Sequence, residues 1–171
     1  MRLLLLAILL CATGVASAAP EAPTDRFASL MAISGQWQAQ AANGPAMSLA
    51  YKVMSRSSVL VESWQAGTGG ETMSVIHRDR DRVMATHYCA QGNQPRLILK
   101  DGDDKDFVFE FLDATNLPDA EASHLVRLQF TLNDDGSLDR IETYRRSGKD
   151  DSSRLHLSRI QPVSAAASHG S

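Results

Sequence analysis

HLVRLQFTLNDDGSLDRIETYRR, residues 124–146, consists of two alternating runs joined by four turn-forming residues, Asn133-Asp134-Asp135-Gly136. In the first run His124, Val126, Leu128 and Phe130 share one face, and Leu125, Arg127, Gln129 and Thr131 share the other. A repeat of two is the signature of a β-strand, whose successive side chains point to opposite sides. The Gly/Asn/Asp turn predicts that Leu138 to Arg146 returns as the antiparallel partner. Just upstream, Asp106 to Leu112 repeats the pattern, with Phe107, Phe109 and Phe111 on one face against Val108, Glu110 and Leu112. One wall is apolar and aromatic, and the other is mixed.

The same grammar extends outward from this hairpin. Further short runs are Gln36 to Ala42, Ala46 to Ser55, Val59 to Gln65, Thr72 to Arg78, Arg82 to Cys89, Arg96 to Lys100 and Arg154 to Ile160, which with the three above make ten candidate strands. Their links include Asn43-Gly44-Pro45, Gly67-Thr68-Gly69-Gly70, Asp79-Arg80-Asp81 and Ser147-Gly148-Lys149, all of hairpin character. Only Asp113 to Ser123 is long, and a helical turn is expected inside it. Consecutive hairpins leave no room for crossover helices. The expected fold is therefore all-β: an up-and-down antiparallel barrel of about ten strands, closed so that no edge is left unpaired. An open sandwich is the alternative. Before the first strand, Phe27, Leu30 and Met31 recur at i, i+3, i+4 behind Asp25, which predicts a short capped helix over residues 26–33.

The first residues carry a different signal. Met1-Arg2 is followed by the apolar run Leu3 to Ala12 and by Ala16-Ser17-Ala18. A charged tip, a short apolar middle and an A-x-A site make a secretory signal peptide cleaved after Ala18. The run is shorter than the roughly 20 apolar residues of a membrane-spanning helix, so no membrane span is expected and the destination is the periplasm or the exterior. Residues 19–25 read as a linker, 26–162 as the barrel domain and 163–171 as a disordered tail. Removing the 18-residue leader from 171 leaves 153 residues, enough for one domain, with 16 basic against 20 acidic side chains and a formal charge of −4. Both signs are mixed along the chain, which argues against nucleic acid as a partner.

Chemistry-bearing residues cluster at THYCAQGNQPRL, residues 86–97. Cys89 is then the only cysteine of the exported chain, and such a thiol is either buried or used. His87 and Cys89 are i, i+2 neighbours on one strand, about 6–7 Å apart at the backbone, and no third group that would orient a base is visible. Arg96 and Glu62 lie in strands and need partners if they face inward. Two readings are open: Arg96 pairs with Glu62 and closes one end of the barrel, or it grips a ligand carboxylate with His87 beside it and Phe107, Phe109 and Phe111 against the apolar body. The histidines, including His77, His124 and His156, show no metal-ligand spacing, and no cofactor is expected from the residues themselves.

Two stretches carry a resemblance. Gly35-Gln36-Trp37, after a short helix, resembles the G-x-W entrance of the calycins, the lipocalin and fatty-acid-binding-protein superfamily. Ser58-Val59-Leu60-Val61-Glu62, Met73 to Asp79, Thr86-His87-Tyr88-Cys89 and Gly92-Asn93-Gln94-Pro95-Arg96 resemble a family of bacterial lipocalin-like exported proteins with an H-Y-C-x-x-G-N-Q-P-R signature. The resemblance spans about residues 27–147 and implies a calycin-like barrel with a small apolar or amphipathic ligand. At Asp79-Arg80-Asp81 the chain departs from that pattern, in which a glycine stands mid-turn. A two-residue loop there would put His77 and His87 on opposite faces, and a three-residue loop on the same face. His156, near the end of the last strand, resembles the axial histidine of the haem-binding nitrobindins, which makes a haem or metal barrel one alternative; an enzyme using His87 and Cys89 is another. The expected function is an exported binding protein enclosing a small, mostly apolar ligand, with His87, Cys89, Arg96, Glu62, His124 and Phe109 as its contacts.

Overall fold

The computed structural model describes residues 25–39, 47–65 and 70–161. The expected signal peptide, most of the linker, the Asn43-Gly44-Pro45 turn, residues 67–69 and the C-terminal tail lie outside the described residues. The chain forms a helix α1 (Arg26–Leu30), a 3₁₀ turn (Met31–Ile33) and ten strands: β1 (Gly35–Ala39), β2 (Met47–Met54), β3 (Val59–Gln65), β4 (Thr72–Asp79), β5 (Arg82–Tyr88), β6 (Gln94–Leu99), β7 (Asp106–Thr115), β8 (His124–Leu132), β9 (Leu138–Arg146) and β10 (Lys149–Arg159). Each strand pairs antiparallel with its sequence neighbour, and β1 pairs with β10 to close the barrel. The closed ten-stranded, calycin-like barrel is thus the architecture, and the open sandwich is set aside.

One end of the barrel is plugged. Asp25 caps α1 by accepting from the Ala28 amide at 3.2 Å. The helix passes into the 3₁₀ turn at Met31, so Ile33 rather than Met31 joins Phe27 and Leu30 in the core. Trp37 donates from Nε1 to the Ile33 carbonyl at 2.8 Å, and the Arg159 guanidinium lies 4.3 Å from the Trp37 ring centre. Gly35, at φ +136°, leaves room for that arginine: a Cβ there would come within 2.5 Å of Arg159 Nη1.

Above the plug Leu60, Ile76, Ala85, Leu97, Phe107, Phe109, Leu128, Phe130, Leu138 and Leu157 show no surface to a water-sized sphere. This half of the barrel is filled. Phe109 and Phe130 meet edge to face at 6.2 Å, the arrangement aromatic quadrupoles favour. Phe111 departs from its expected row: it is 37% exposed and its ring lies 5.0 Å from that of His124.

Two irregularities reset the strand faces. The β8/β9 register shifts between Leu125 and Arg127, so that Leu125 pairs with Tyr144 and Val126 is the extra residue. Inserting one residue reverses which face each earlier side chain occupies. Leu125 therefore joins the buried core, and His124, paired with the exposed Arg145, leaves the row of Leu128 and Phe130. A second shift lies opposite Arg96/Leu97, where β7 carries Leu112 as its extra residue. The long connection from β7 to β8 holds no helical turn; Asp119 accepts from the amides of Glu121 and Ala122, each at 2.8 Å, and forms a side-chain-capped bend instead.

Candidate functional site

A row of polar side chains crosses the interior between the filled half and the open end. It begins with register: Tyr51 stands opposite Glu62, Glu62 opposite Ser74, and Ser74 opposite His87, across β2, β3, β4 and β5. Facing residues of paired strands share a side of the sheet. All four therefore point into the barrel, and all are buried. From the far wall β9 sends Arg140 across the lumen. Its Nε donates to Glu62 Oε2 at 2.9 Å, its Nη2 to Glu62 Oε1 at 3.0 Å and its Nη1 to Glu142 Oε2 at 2.8 Å. Trp64 lies over the same guanidinium at 5.1 Å.

Glu62 also accepts from the Tyr51 hydroxyl at 2.8 Å and from Ser74 Oγ at 3.0 Å. Four donors thus fill the roughly four lone-pair sites of a carboxylate. Burial pushes the Glu62 carboxyl up, but the charge and two hydrogen bonds of Arg140 outweigh it, and the net direction is below the usual carboxylate range. Glu62 is ionised, and Arg140, held by Glu62 and Glu142 against the cost of its own burial, stays charged.

The row continues toward the open end. Ser74 Oγ lies 2.9 Å from His87 Nδ1, His87 Nε2 lies 3.1 Å from the Tyr144 hydroxyl, and Cys89 Sγ lies 3.8 Å from that hydroxyl. Burial, assisted by the nearby positive charge of Arg140, moves His87 below its ordinary value despite Glu62, so the imidazole is neutral. Burial also pushes the Cys89 thiol up. A thiol above its ordinary value is mostly protonated at neutral pH and is a poor nucleophile.

Two clefts open at this end. One, of about 790 Å³, is lined by Trp64, Thr72, Met73 and Tyr88 with Ser48, Ser63 and Glu71. The other, of about 440 Å³, has Tyr144 in its wall together with Gln91, Ser123, Arg146, Lys149, Asp151 and Ser153.

Of the residues expected to form a site, Glu62, His87 and Cys89 come together here. Arg96 does not. It stands opposite Thr86, outside the barrel, 45% exposed at its side chain and doubly hydrogen-bonded to Asp113. The partner of Glu62 is Arg140, which corrects the Arg96 to Glu62 pairing. His124 is buried against the Ala122 carbonyl, to which its Nδ1 lies at 2.7 Å, and Phe109 stands in the filled half. The turn at Asp79 to Arg82 has the two-residue geometry, with Asp79 opposite Arg82, and so His77 and His87 take opposite faces. His156 lies on the outer surface, 60% exposed, with Nδ1 2.9 Å from Asp139. Among the described residues, no group of three or more His, Cys, Asp or Glu side chains is placed to hold a metal ion, and no helix is long and apolar enough to cross a membrane.

The residues that sequence reasoning missed are Arg140, Ser74, Tyr51 and Tyr144. For the β9 pair the signal was present: counting by twos from the apolar Leu138 leads to Arg140, Glu142 and Tyr144. Neither a protein-family model nor a curated protein matches this chain.

Proposed function

We propose that this chain is an exported binding protein that takes a small amphipathic molecule at the open mouth of the barrel. The observation that carries the proposal is the cleft of about 790 Å³ at the rim, where Met73 and Tyr88 of the outer face meet the inward-facing Trp64, whose ring stacks on the Arg140 guanidinium of the buried layer. Its volume falls in the range of about 300–1,000 Å³ common to small-molecule sites. Met73 and Tyr88 stand exposed in its wall, an adaptable thioether and a ring with one polar end, both suited to an amphipathic guest. The layer behind Trp64 supports the same reading. Well-packed apolar residues in place of a buried ion pair are often neutral or stabilising, so packing alone gives no reason to keep Glu62 and Arg140.

Export rests on the leader Met1 to Ala18, and kinship with the calycin-like exported family rests on Gly35-Gln36-Trp37 and on His87 to Arg96. Both belong to the proposal. Native mass spectrometry of the exported protein tests it. The expected result is a chain beginning at Ala19 that carries a lipid-like adduct, the adduct being lost in Trp64→Ala. A chain beginning at Met1, or an adduct indifferent to Trp64→Ala, overturns the export or the mouth reading respectively.

A further inference from the structure

The cleft of about 440 Å³ beside Tyr144 has a polarity set from inside the barrel. Glu62, ionised, can only accept. The single proton of Ser74 Oγ must therefore point at Glu62 Oε1, 3.0 Å away, because a serine lone pair facing a carboxylate oxygen at that distance would be repelled. Ser74 is then an acceptor toward His87, and Nδ1 of the imidazole, 2.9 Å away, must carry the ring proton. With Nδ1 protonated and the ring neutral, Nε2 is bare and accepts from the Tyr144 hydroxyl at 3.1 Å. Tyr144 has spent its one proton inward. Cys89, 3.8 Å away, can only donate to it, which leaves the phenolic oxygen as a pure acceptor.

We propose that Tyr144 determines specificity at the mouth: its oxygen presents a lone pair to this cleft, which takes a ligand group that donates a hydrogen bond, a neutral alcohol or phenol, in preference to a carboxylate or an ether. Among donor groups, the other side chains favour a neutral one over a cation. Arg146 and Lys149 against Asp151 leave a residual positive charge that disfavours an ammonium and attracts an anion, so discrimination against a carboxylate rests on the Tyr144 lone pair alone, while Ser123, Ser153 and Gln91 can serve the remaining valences of a hydroxyl. The inference adds a second cleft at the same open end and rests on the binding reading above.

The test compares para-octylphenol, its methyl ether and para-octylbenzoate by calorimetry on the full exported chain. The phenol should bind roughly tenfold tighter than the ether, the worth of one net hydrogen bond. In Tyr144→Phe, whose folding is checked by circular dichroism, that preference should fall to within about twofold. Long-range ¹⁵N–¹H spectra of the wild type should show His87 protonated at Nδ1 and bare at Nε2, a readout that needs no variant. Equal binding of phenol and ether, tighter binding of the benzoate, or the opposite His87 tautomer overturns the specificity proposal while leaving mouth binding intact. Failure of all three compounds to bind overturns both.

Discussion

At the scale of single residues, the interior is governed by one buried charge pair and its supporting hydroxyls. Arg140 and Glu62 are each 1% exposed at the side chain. Removing one partner strands the other charge in a low-dielectric interior. Arg140→Met should lower unfolding free energy by about 3–5 kcal/mol, whereas Glu62→Leu with Arg140→Met should be clearly less damaging than Arg140→Met alone, as measured by urea denaturation. Equal losses would mean that packing, not charge, is what Arg140 supplies. Asp139, on the outer face of the same strand, has a pH consequence. Burial pushes its carboxyl up, but hydrogen bonds from Arg154, His156 and Asn133 outweigh that and bring it from 3.8 to about 2. A carboxyl depressed on folding stabilises the native state above its unfolded value and loses that contribution as pH falls through its folded value. Melting temperature should therefore drop between pH 4 and pH 2, and Asp139→Asn should flatten this part of the profile. Arg140 was legible only in principle. Its place follows from the parity of Leu138, but a charged residue counts as inward only once a partner is known, and Glu62 lies 78 positions away.

At the scale of elements, the strands were readable because alternation is a local property. The runs Val59 to Gln65, His124 to Leu132 and Leu138 to Arg146 coincide with β3, β8 and β9 to the residue. The bulges at Val126 and Leu112 were not readable, since an inserted residue leaves the local pattern of polar and apolar letters almost unchanged while reversing the faces beyond it. The reversal moved His124 out of the row of Leu128 and Phe130. Arg96 was misplaced for a related reason: its face depends on the residues between Tyr88 and Gln94, whose path no periodicity reports. The β4–β5 turn gives a prediction at this scale. Arg80 sits at φ +59°, in the left-handed region that a side chain makes costly. Arg80→Gly should raise stability by about 0.5–1 kcal/mol after the greater flexibility of the unfolded chain is counted, read as a shift in the urea midpoint at constant slope. A loss of stability would mean that Arg80 makes a contact that matters more than its backbone strain.

At the scale of the whole molecule, the barrel is polarised along its axis: helix, 3₁₀ turn and aromatic residues fill one half, a charged and hydroxylic layer crosses the middle, and two clefts open at the other end. The sequence pointed to a cavity enclosing a small ligand, with Phe107, Phe109 and Phe111 against its apolar body. Instead the volume near the plug is taken up by Phe107, Phe109, Phe130 and their neighbours, and the binding proposal moves to the mouth. The two tryptophans of the chain report on the two ends. Trp37 is buried in the plug with its indole N–H bound to the Ile33 carbonyl, and Trp64 lies between Arg140 and the larger cleft. The most direct measurement is a titration with para-octylphenol followed through the two indole N–H resonances in ¹⁵N–¹H spectra. Binding at the mouth predicts a saturable shift of the Trp64 signal with the Trp37 signal unmoved. A shift of Trp37 with Trp64 unmoved would place the ligand at the plugged end and contradict the account.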